Sequence, residues 1–400
     1  MNKPNLELAD VFRSLDLDSL EESDLVLSAA QRRVLRDITQ CRTAALGGHL
    51  EQCDQCGHQQ IAYNSCRNRH CPKCQAAARA EWLGERAADL LPVEYYHVVF
   101  TLPDQLSHLA LQNKRAVYGL LFKAASETLL EIAADPKHLG AAIGFLAVLH
   151  TWGQTLQHHP HLHCVVPGGG LSPDHSKWVA CRKGFFLPVR VLSRLFRRKF
   201  VAGLRQMFDA GKLRCAGQLA QKSQFERLLD GVSRIEWVVY AKPPFGGPEQ
   251  VLKYLARYTH RVAISNHRLL EFKDGRVTLS YKDYAAGNVI KTMTLDAVEF
   301  TRRFLFHVLP TGFVRIRHYG FLANRCRRER LDLCRRLLVA ASAQPVACDT
   351  TKPESEPEIQ REAMVCPECR QGRMIVVSRL EPLKPGSLWP VRPVCGADTS

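Results

Sequence analysis

The chain has 400 residues, and its 55 lysines and arginines against 39 acidic residues give a net charge of +16. A hydrophobic content of 46% is too high for a disordered chain, and the length predicts two or three domains. The longest nearly apolar run, residues 139–149, is too short to span a bilayer, and the N-terminus lacks the pattern of a signal peptide. We therefore expect a cytoplasmic protein with no membrane partner, whose charge favours a polyanion such as nucleic acid.

Helices and strands alternate along the predicted chain. Helices are predicted over residues 28–45, 104–134, 189–229 and 248–259, and strands over residues 95–102, 141–152, 161–166 and 235–240. The dipeptide Asp274-Gly275 separates two short apolar segments, which is typical of a β-hairpin. This order predicts an α+β fold built on one sheet domain.

The 15 cysteines are concentrated near the two ends of the chain. In a reducing compartment, clustered cysteines indicate metal binding rather than disulfides. Two CxxC pairs can each place two thiolates on one ion and together complete a tetrahedral site. The sequence therefore predicts one structural zinc ion held by Cys53, Cys56, Cys71 and Cys74.

Further cysteines and histidines leave other metal sites open. The same block contains four more possible ligands: Cys41, His49, Cys66 and His70. They could bind a second zinc ion, or they could be buried side chains beside a single zinc ion. The C-terminal pair Cys366 and Cys369 resembles half of a zinc site, but only Cys395 follows it. On the sequence alone that pair is a weak metal candidate.

The segment around residue 160 carries a His-x-His pattern. In a strand, His161 and His163 point to the same face, an arrangement that suits a divalent cation, although such a pair is also found as partly buried polar side chains. Two histidines hold a cation poorly, and Gln154 is the predicted third ligand. Its competitors are His159, His260 and Asn266.

Tyr254 and Tyr258 are four residues apart on a predicted helix, so their phenols share one face. Tyrosines at this spacing commonly pack on a core. Beside a metal that polarises a phosphodiester, a phenol can instead act as a nucleophile. Lys253, Arg257 and Arg261 form a basic row on the neighbouring face, where they would contact DNA phosphates.

These strings together resemble the insertion-sequence transposases of the IS91 type, which are two-tyrosine HUH rolling-circle transposases. The resemblance covers most of the chain and is carried by five strings in one order: SCRNRHCPKCQ (65–75), LPVEYYHVVFTLP (91–103), HTWGQTLQHHPHLHCVVPGGG (150–170), YLARYTHRVAISNHR (254–268) and FVRIRHYGFLANR (313–325).

The resemblance implies an HUH endonuclease-like fold, which is an antiparallel sheet flanked by helices, with a small zinc-binding module before it. His161 and His163 would hold Mg²⁺ or Mn²⁺, and Tyr254 and Tyr258 would be the nucleophiles. The implied activity is cleavage and joining of single-stranded DNA through a 5′-phosphotyrosine, with the free 3′-OH used by host replication enzymes. The alternatives are a plasmid replication initiator or relaxase with the same chemistry, and a non-catalytic zinc-finger DNA-binding protein.

An Arg-rich segment follows the sheet domain. Residues 301–337 contain ten arginines interleaved with aromatic residues, a composition that suits phosphate contact and base stacking, with Arg315 and Arg317 as predicted DNA contacts. The predicted divisions are an acidic leader (1–30), a zinc-binding domain (31–92), the catalytic domain (93–310), an Arg-rich helical DNA-binding region (311–349), and a linker with the CPEC tail (350–400). The sequence does not determine the oligomeric state.

Overall fold

A computed structural model describes residues 6–15, 26–75, 89–182, 184–245, 262–284, 286–341 and 364–383. Eight helices occur in these ranges: α1 Leu8–Arg13, α2 Ala29–Gln40, α3 Ser107–Gln112, α4 Lys114–Ala134, α5 Val189–Asp209, α6 Lys222–Arg234, α7 Ala297–Phe306 and α8 Arg327–Ala341. None of these helices combines the length and the apolar character needed to cross a membrane.

The same ranges contain strands β1 Gly48–Cys53, β2 Gln59–Tyr63, β3 Tyr95–Thr101, β4 Gly144–Trp152, β5 His158–Pro167, β6 Gly169–Leu171, β7 Trp178–Ala180, β8 Val239–Phe245, β9 Leu269–Lys273, β10 Arg276–Asp283, β11 Val289–Asp296, β12 Ile316–Gly320 and β13 Met374–Leu380.

The central sheet has five strands in the order β12-β4-β5-β3-β8, and every neighbouring pair is antiparallel. On β5, Leu162 and Cys164 are fully buried in the core that α4 and α5 share with one face of the sheet. His161 and His163, which alternate with them along the strand, point to the opposite face. The predicted antiparallel sheet flanked by helices is confirmed.

The structure shortens one of the predicted helical segments and divides another. Helix α2 begins after Ser28, whose hydroxyl accepts a hydrogen bond from the Gln31 N–H, and it ends at Gln40 instead of residue 45. The predicted helix over 189–229 is two helices, because the chain turns at Gly211 and Gly217, where φ is +62° and +58°. The predicted helix over 248–259 lies outside the described residues.

A second sheet, in the order β11-β10-β9, contains the predicted hairpin. Asp274 and Gly275 both have positive φ, 49° and 69°, as a tight two-residue β-turn requires. The inner face of this sheet packs with α7 against α1 and α2, and the shared core includes Phe12, Leu279 and Phe300. The N-terminal helices therefore rest on the hairpin sheet.

The third sheet joins the two ends of the chain. Its order is β13-β1-β2, with the register running from Gly48 opposite Leu380 to Cys53 opposite Met374. None of its strands is predicted from the sequence pattern. The tail that contains the CPEC motif thus packs on the N-terminal module.

The Arg-rich segment contains a strand as well as a helix. Strand β12 adds to the edge of the central sheet, and α8 packs through Leu331 and Cys334 on Leu91, Leu171 and Phe321. The strand ends at Gly320, where φ is +60° and an added Cβ would lie 1.7 Å from the Ile143 carbonyl oxygen. Only glycine can make this close approach.

Candidate active site

Histidines from two neighbouring strands meet on the face of the central sheet opposite α4 and α5. His161 and His163 lie on β5, and the register places His150 of β4 directly opposite His161. The ligand atoms of the three side chains all lie within 4.8 Å of one another. The predicted pair therefore shares one face, and His150 joins it as a third nitrogen donor.

His150 is the candidate ligand that sequence reasoning missed. On β4, Phe145, Ala147 and Leu149 are buried in the helix-side core, so His150 occupies the opposite face. That alternation is visible in the sequence, but it becomes informative only when β4 is known to pair with β5.

Hydrogen bonds orient two of the three rings. The His161 Nδ1 lies 2.6 Å from the His159 carbonyl oxygen, so it carries the proton, and Nε2 is the atom that can bind a cation. The His163 Nδ1 lies 2.8 Å from the His97 Nε2. Burial, with smaller effects of Lys242 and His161, lowers the pKa of His97 to about 3, so that His97 is neutral and can accept this proton.

His97 is therefore expected to be a positioning residue for the cation. His97→Ala removes the acceptor for the His163 Nδ1–H and should weaken Mn²⁺ binding by about 10- to 100-fold, as loss of such partners does at other metal sites. His97→Gln, whose amide oxygen can accept the same proton, should restore most of the affinity. Calorimetric titration of the full chain with Mn²⁺ measures both. Equal affinities in wild type and His97→Ala would show that this hydrogen bond does not orient the ligand.

The histidines open onto a cavity of about 410 Å³. Its remaining wall is formed by Trp152, Gly153, Gln154, Thr155 and His159 of the β4–β5 hairpin and by Tyr281, Lys282, Asp283 and Tyr284 at the end of β10. A cavity of this size accommodates a phosphodiester and adjoining sugar.

The predicted third ligand, Gln154, lines this cavity. Its side-chain amide lies 3.2 Å from the Tyr284 hydroxyl, and its role as a ligand stays a prediction. Of its competitors, Asn266 accepts a hydrogen bond from the Leu8 N–H and His159 pairs with Asp104 at 3.2 Å, so both have other partners. His260 lies outside the described residues.

Three imidazole nitrogens fit a divalent transition ion. Imidazole suits Mn²⁺ and the later first-row ions better than Mg²⁺, which prefers oxygen ligands at octahedral positions. The donor set therefore favours Mn²⁺ unless phosphate and water oxygens complete the shell of Mg²⁺.

Eight of the described cysteines form two clusters of four, and the predicted grouping of the zinc ligands is wrong. Cys71 and Cys74 meet Cys41 and Cys66, whereas Cys53 and Cys56 meet the C-terminal Cys366 and Cys369. The pairing of β1 with β13 carries the first CxxC pair away from the second and towards the tail. His49, which pairs with Glu51, and His70, which accepts from the Leu309 N–H, belong to neither cluster.

The N-terminal cluster has the spacing of a zinc site. The Sγ of Cys74 lies 3.5 Å from those of Cys41 and Cys66, close to the ~3.8 Å edge of a tetrahedron with Zn–S bonds of about 2.3 Å. Hydrogen bonds among the thiols hold the pKa of Cys74 well below its usual range and raise the pKa values of Cys66 and Cys71, and metal binding would require the thiolate form of all four.

The loop inside this cluster holds the segment that leads into β12. Between Cys66 and Cys71, the Arg69 guanidinium donates to the carbonyl oxygens of Phe313 and Pro310 at 2.5 and 3.0 Å. The predicted zinc module thereby contacts the edge of the sheet that carries His150.

Comparison with known proteins identifies the family. Residues 14–102 match the family described as "Transposase zinc-binding domain" and residues 144–330 match the family described as "Putative transposase". The chain is 56% identical over 383 residues to "Putative transposase y4qJ" of Sinorhizobium fredii strain NGR234, covering 94% of this chain and 96% of that protein. The chain belongs to the IS91-type transposases.

Two other similarities are more distant. The transposase is 28% identical to the "Transposase for insertion sequence element IS801" of Pseudomonas savastanoi pv. phaseolicola, over 71% of this chain and 68% of that protein. A solved structure of the conjugative relaxase TrwC in complex with OriT DNA aligns with 60% of this chain and 71% of its own at 14% identity, with a TM-score of 0.23, which is too low to support an inference.

The predicted nucleophiles of the transposase, Tyr254 and Tyr258, lie outside the described residues, as do the predicted DNA contacts Lys253, Arg257 and Arg261. Their roles stay predictions.

Arg315 and Arg317 both make contacts within the protein, and their role as DNA contacts stays a prediction. Arg315 is only 9% exposed and donates to the Gln75 side chain at 2.9 Å, and burial lowers its pKa to about 10. Arg317 stacks on the Phe122 ring, 4.0 Å from its centroid, on the α4 side of the sheet and therefore opposite the histidines. An Arg-rich composition cannot separate such structural arginines from surface ones. The exposed arginines of the segment include Arg325, Arg328 and Arg336.

Proposed function

We propose that this transposase cleaves and rejoins single-stranded DNA through a 5′-phosphotyrosine, with a divalent cation held by His150, His161 and His163. The observation that supports the proposal is the convergence of three imidazole nitrogens within 4.8 Å beside a cavity of phosphodiester size. A bound cation would polarise the scissile phosphate and offset the charge that develops on it.

The remaining chemistry belongs to the tyrosines. The phenol oxygen of Tyr254 or Tyr258 would bond to the phosphorus while the bond from phosphorus to the 3′ oxygen breaks, and that oxygen would take up the proton as a free 3′-OH. The phosphotyrosine conserves the energy of the phosphodiester, so the reverse attack by a 3′-OH can rejoin a strand without ATP. Two tyrosines permit two simultaneous linkages, as strand transfer between an element end and a target requires.

The test is covalent capture of DNA. Full-length protein incubated with single-stranded oligonucleotides from the element ends and Mn²⁺ should give an adduct that migrates as protein plus DNA on a denaturing gel. The double variant Tyr254→Phe/Tyr258→Phe should give none. Tyr281→Phe and Tyr284→Phe are matched controls, because these tyrosines line the cavity and should leave the adduct intact.

Each result separates the candidate functions. No adduct from the wild type with any end sequence would favour the non-catalytic zinc-finger alternative. Loss of the adduct in Tyr284→Phe, with retention in the double variant, would overturn the assignment of the nucleophiles. A protein that only rejoins the two pieces of the oligonucleotide it has cut, and never joins one of them to a second oligonucleotide, would favour the relaxase or replication-initiator chemistry over strand transfer.

DNA contact outside the cavity is part of the same proposal. The basic row Lys253, Arg257 and Arg261 would hold the phosphates that flank the cut, and the exposed face of α8, with Arg328 and Arg336, would contact the adjoining strand. The free 3′-OH left by cleavage is a primer that host replication enzymes can extend.

A further inference from the structure

We propose that Cys53, Cys56, Cys366 and Cys369 bind a second structural zinc ion, so that one metal fastens the C-terminal tail to the N-terminal module. Two of these ligands lie outside residues 14–102, the range that matches the zinc-binding family. The site therefore adds to the zinc-binding domain that the family similarity shows.

The distances fit a tetrahedral thiolate site. The Sγ of Cys53 lies 3.7 Å from that of Cys369, and the Sγ of Cys56 lies 3.7 Å from that of Cys366. Zn–S bonds of about 2.3 Å place tetrahedral ligands ~3.8 Å apart, whereas a disulfide needs ~2.0 Å. All four sulfurs lie within 4.8 Å of one another, so a single ion can reach them.

The two halves of the site have the same backbone geometry. In each half the N–H of the residue after the second cysteine donates to the carbonyl of the first: Gly57 to Cys53 at 3.2 Å, and Arg370 to Cys366 at 3.0 Å. Both of these residues have positive φ, 73° and 57°. Each half is thus a tight turn that presents two thiolates to one point, although their sequences share little beyond the CxxC spacing.

Backbone N–H groups also point at the sulfurs. The Cys56 N–H lies 3.4 Å from the Cys53 Sγ, and the Gly372 N–H lies 3.4 Å from the Cys369 Sγ. Gly372 has no room for a side chain, because a Cβ there would lie 2.4 Å from the Cys53 Sγ, so the two turns are in direct contact.

The site closes a very long loop. Cys56 and Cys366 are 310 residues apart, and the central sheet, the hairpin sheet and α8 all lie between them. In the tail, β13 is an edge strand that pairs only with β1 among the described strands, and one strand pairing is a marginal attachment in water. We expect the metal to supply the rest of the attachment.

Zinc content tests the number of sites. Wild-type chain purified without chelator should hold two zinc ions per chain by elemental analysis. The variant Cys366→Ser/Cys369→Ser should hold one zinc ion, at the N-terminal site. The variant Cys71→Ser/Cys74→Ser should lose the N-terminal zinc ion and keep the one at the proposed site. Cys326→Ser, a cysteine outside both clusters, should keep two. One zinc ion in the wild type, or two in the Cys366→Ser/Cys369→Ser variant, would overturn the proposal.

Retention of the tail after proteolysis tests the connection in the wild-type protein, with and without zinc. A protease site is inserted in the polar segment 350–360 of the full chain, and the protein is cut and run on a sizing column. The released C-terminal piece should co-elute with the body while zinc is bound, and should separate after chelation or when Gly372→Ala is introduced. Separation from the zinc-loaded wild type, or retention after complete removal of zinc, would contradict a metal-dependent attachment.

Discussion

Replacing both His161 and His163 with alanine is expected to lower the rate of single-stranded DNA cleavage by at least about 10³-fold. The cation contributes several kcal/mol of transition-state stabilisation, and each 1.36 kcal/mol corresponds to a factor of ten. The double variant leaves one imidazole of the three that lie within 4.8 Å of one another. Because both side chains line the cavity and not the apolar core, we expect the fold to survive.

Cleavage rate with Mn²⁺, Mn²⁺ affinity and melting temperature are measured together. His159→Ala is the matched control, because His159 lies on the same strand and lines the same cavity but pairs with Asp104. It should retain most of the activity. A His161→Ala/His163→Ala protein that keeps full Mn²⁺ affinity, or a His159→Ala protein that loses it, would show that the cation binds elsewhere.

Single variants identify the third ligand. His150→Ala should weaken Mn²⁺ binding more than Gln154→Ala, because His150 lies opposite His161 while the Gln154 amide bonds the Tyr284 hydroxyl. The reverse order would restore Gln154 as the ligand predicted from the sequence.

Replacing Cys66 and Cys71 with serine is the change with the largest expected effect on stability. It removes two of the four ligands of the N-terminal cluster, which lies in the core where α1 and α2 meet the hairpin sheet. Loss of a structural metal belongs to the small class of changes that cost on the order of 4 kcal/mol or more. Thermal unfolding followed by circular dichroism should show a much lower midpoint, with one zinc ion fewer per chain.

The same variant should also have a lower catalytic activity at temperatures at which it is still folded. The loop between the two cysteines holds Pro310 and Phe313 through Arg69, and this segment leads into β12, which pairs with the β4 strand of His150. Cys326→Ser is the control for thiol loss. Full activity in a zinc-depleted but folded variant would show that the N-terminal cluster stabilises only its own module.

Strong alternation made the central strands predictable. Strand β3 carries β-branched and aromatic residues on the side that faces α4, β5 carries Leu162, Cys164 and Val166 there, and the hairpin turn has residues that tolerate positive φ. Strand β12 was missed because its five residues are all half-buried and include arginine and histidine, a pattern that an edge strand shares with a loop.

The histidine pair was also predictable, since two residues on one strand need no tertiary information to share a face. The grouping of the cysteines was not. Any CxxC turn presents two thiolates, and which turns share an ion depends here on the pairing of β1 with a strand more than 300 residues away. The count of eight cysteines in CxxC pairs and nearby positions was the available signal, because two tetrahedral sites need eight ligands.

The alternation along β5 also restricts how the transposase can change in length. If β5 slid by one residue against β4 and β3, His161 and His163 would turn into the apolar core, and Leu162 and Cys164 would face the cavity. The core and the metal site therefore select the same register independently. An insertion in the hairpin turn at residues 153–157 can be accommodated by a larger turn without a change of register. We therefore expect natural variation in length in this turn and not within the strand.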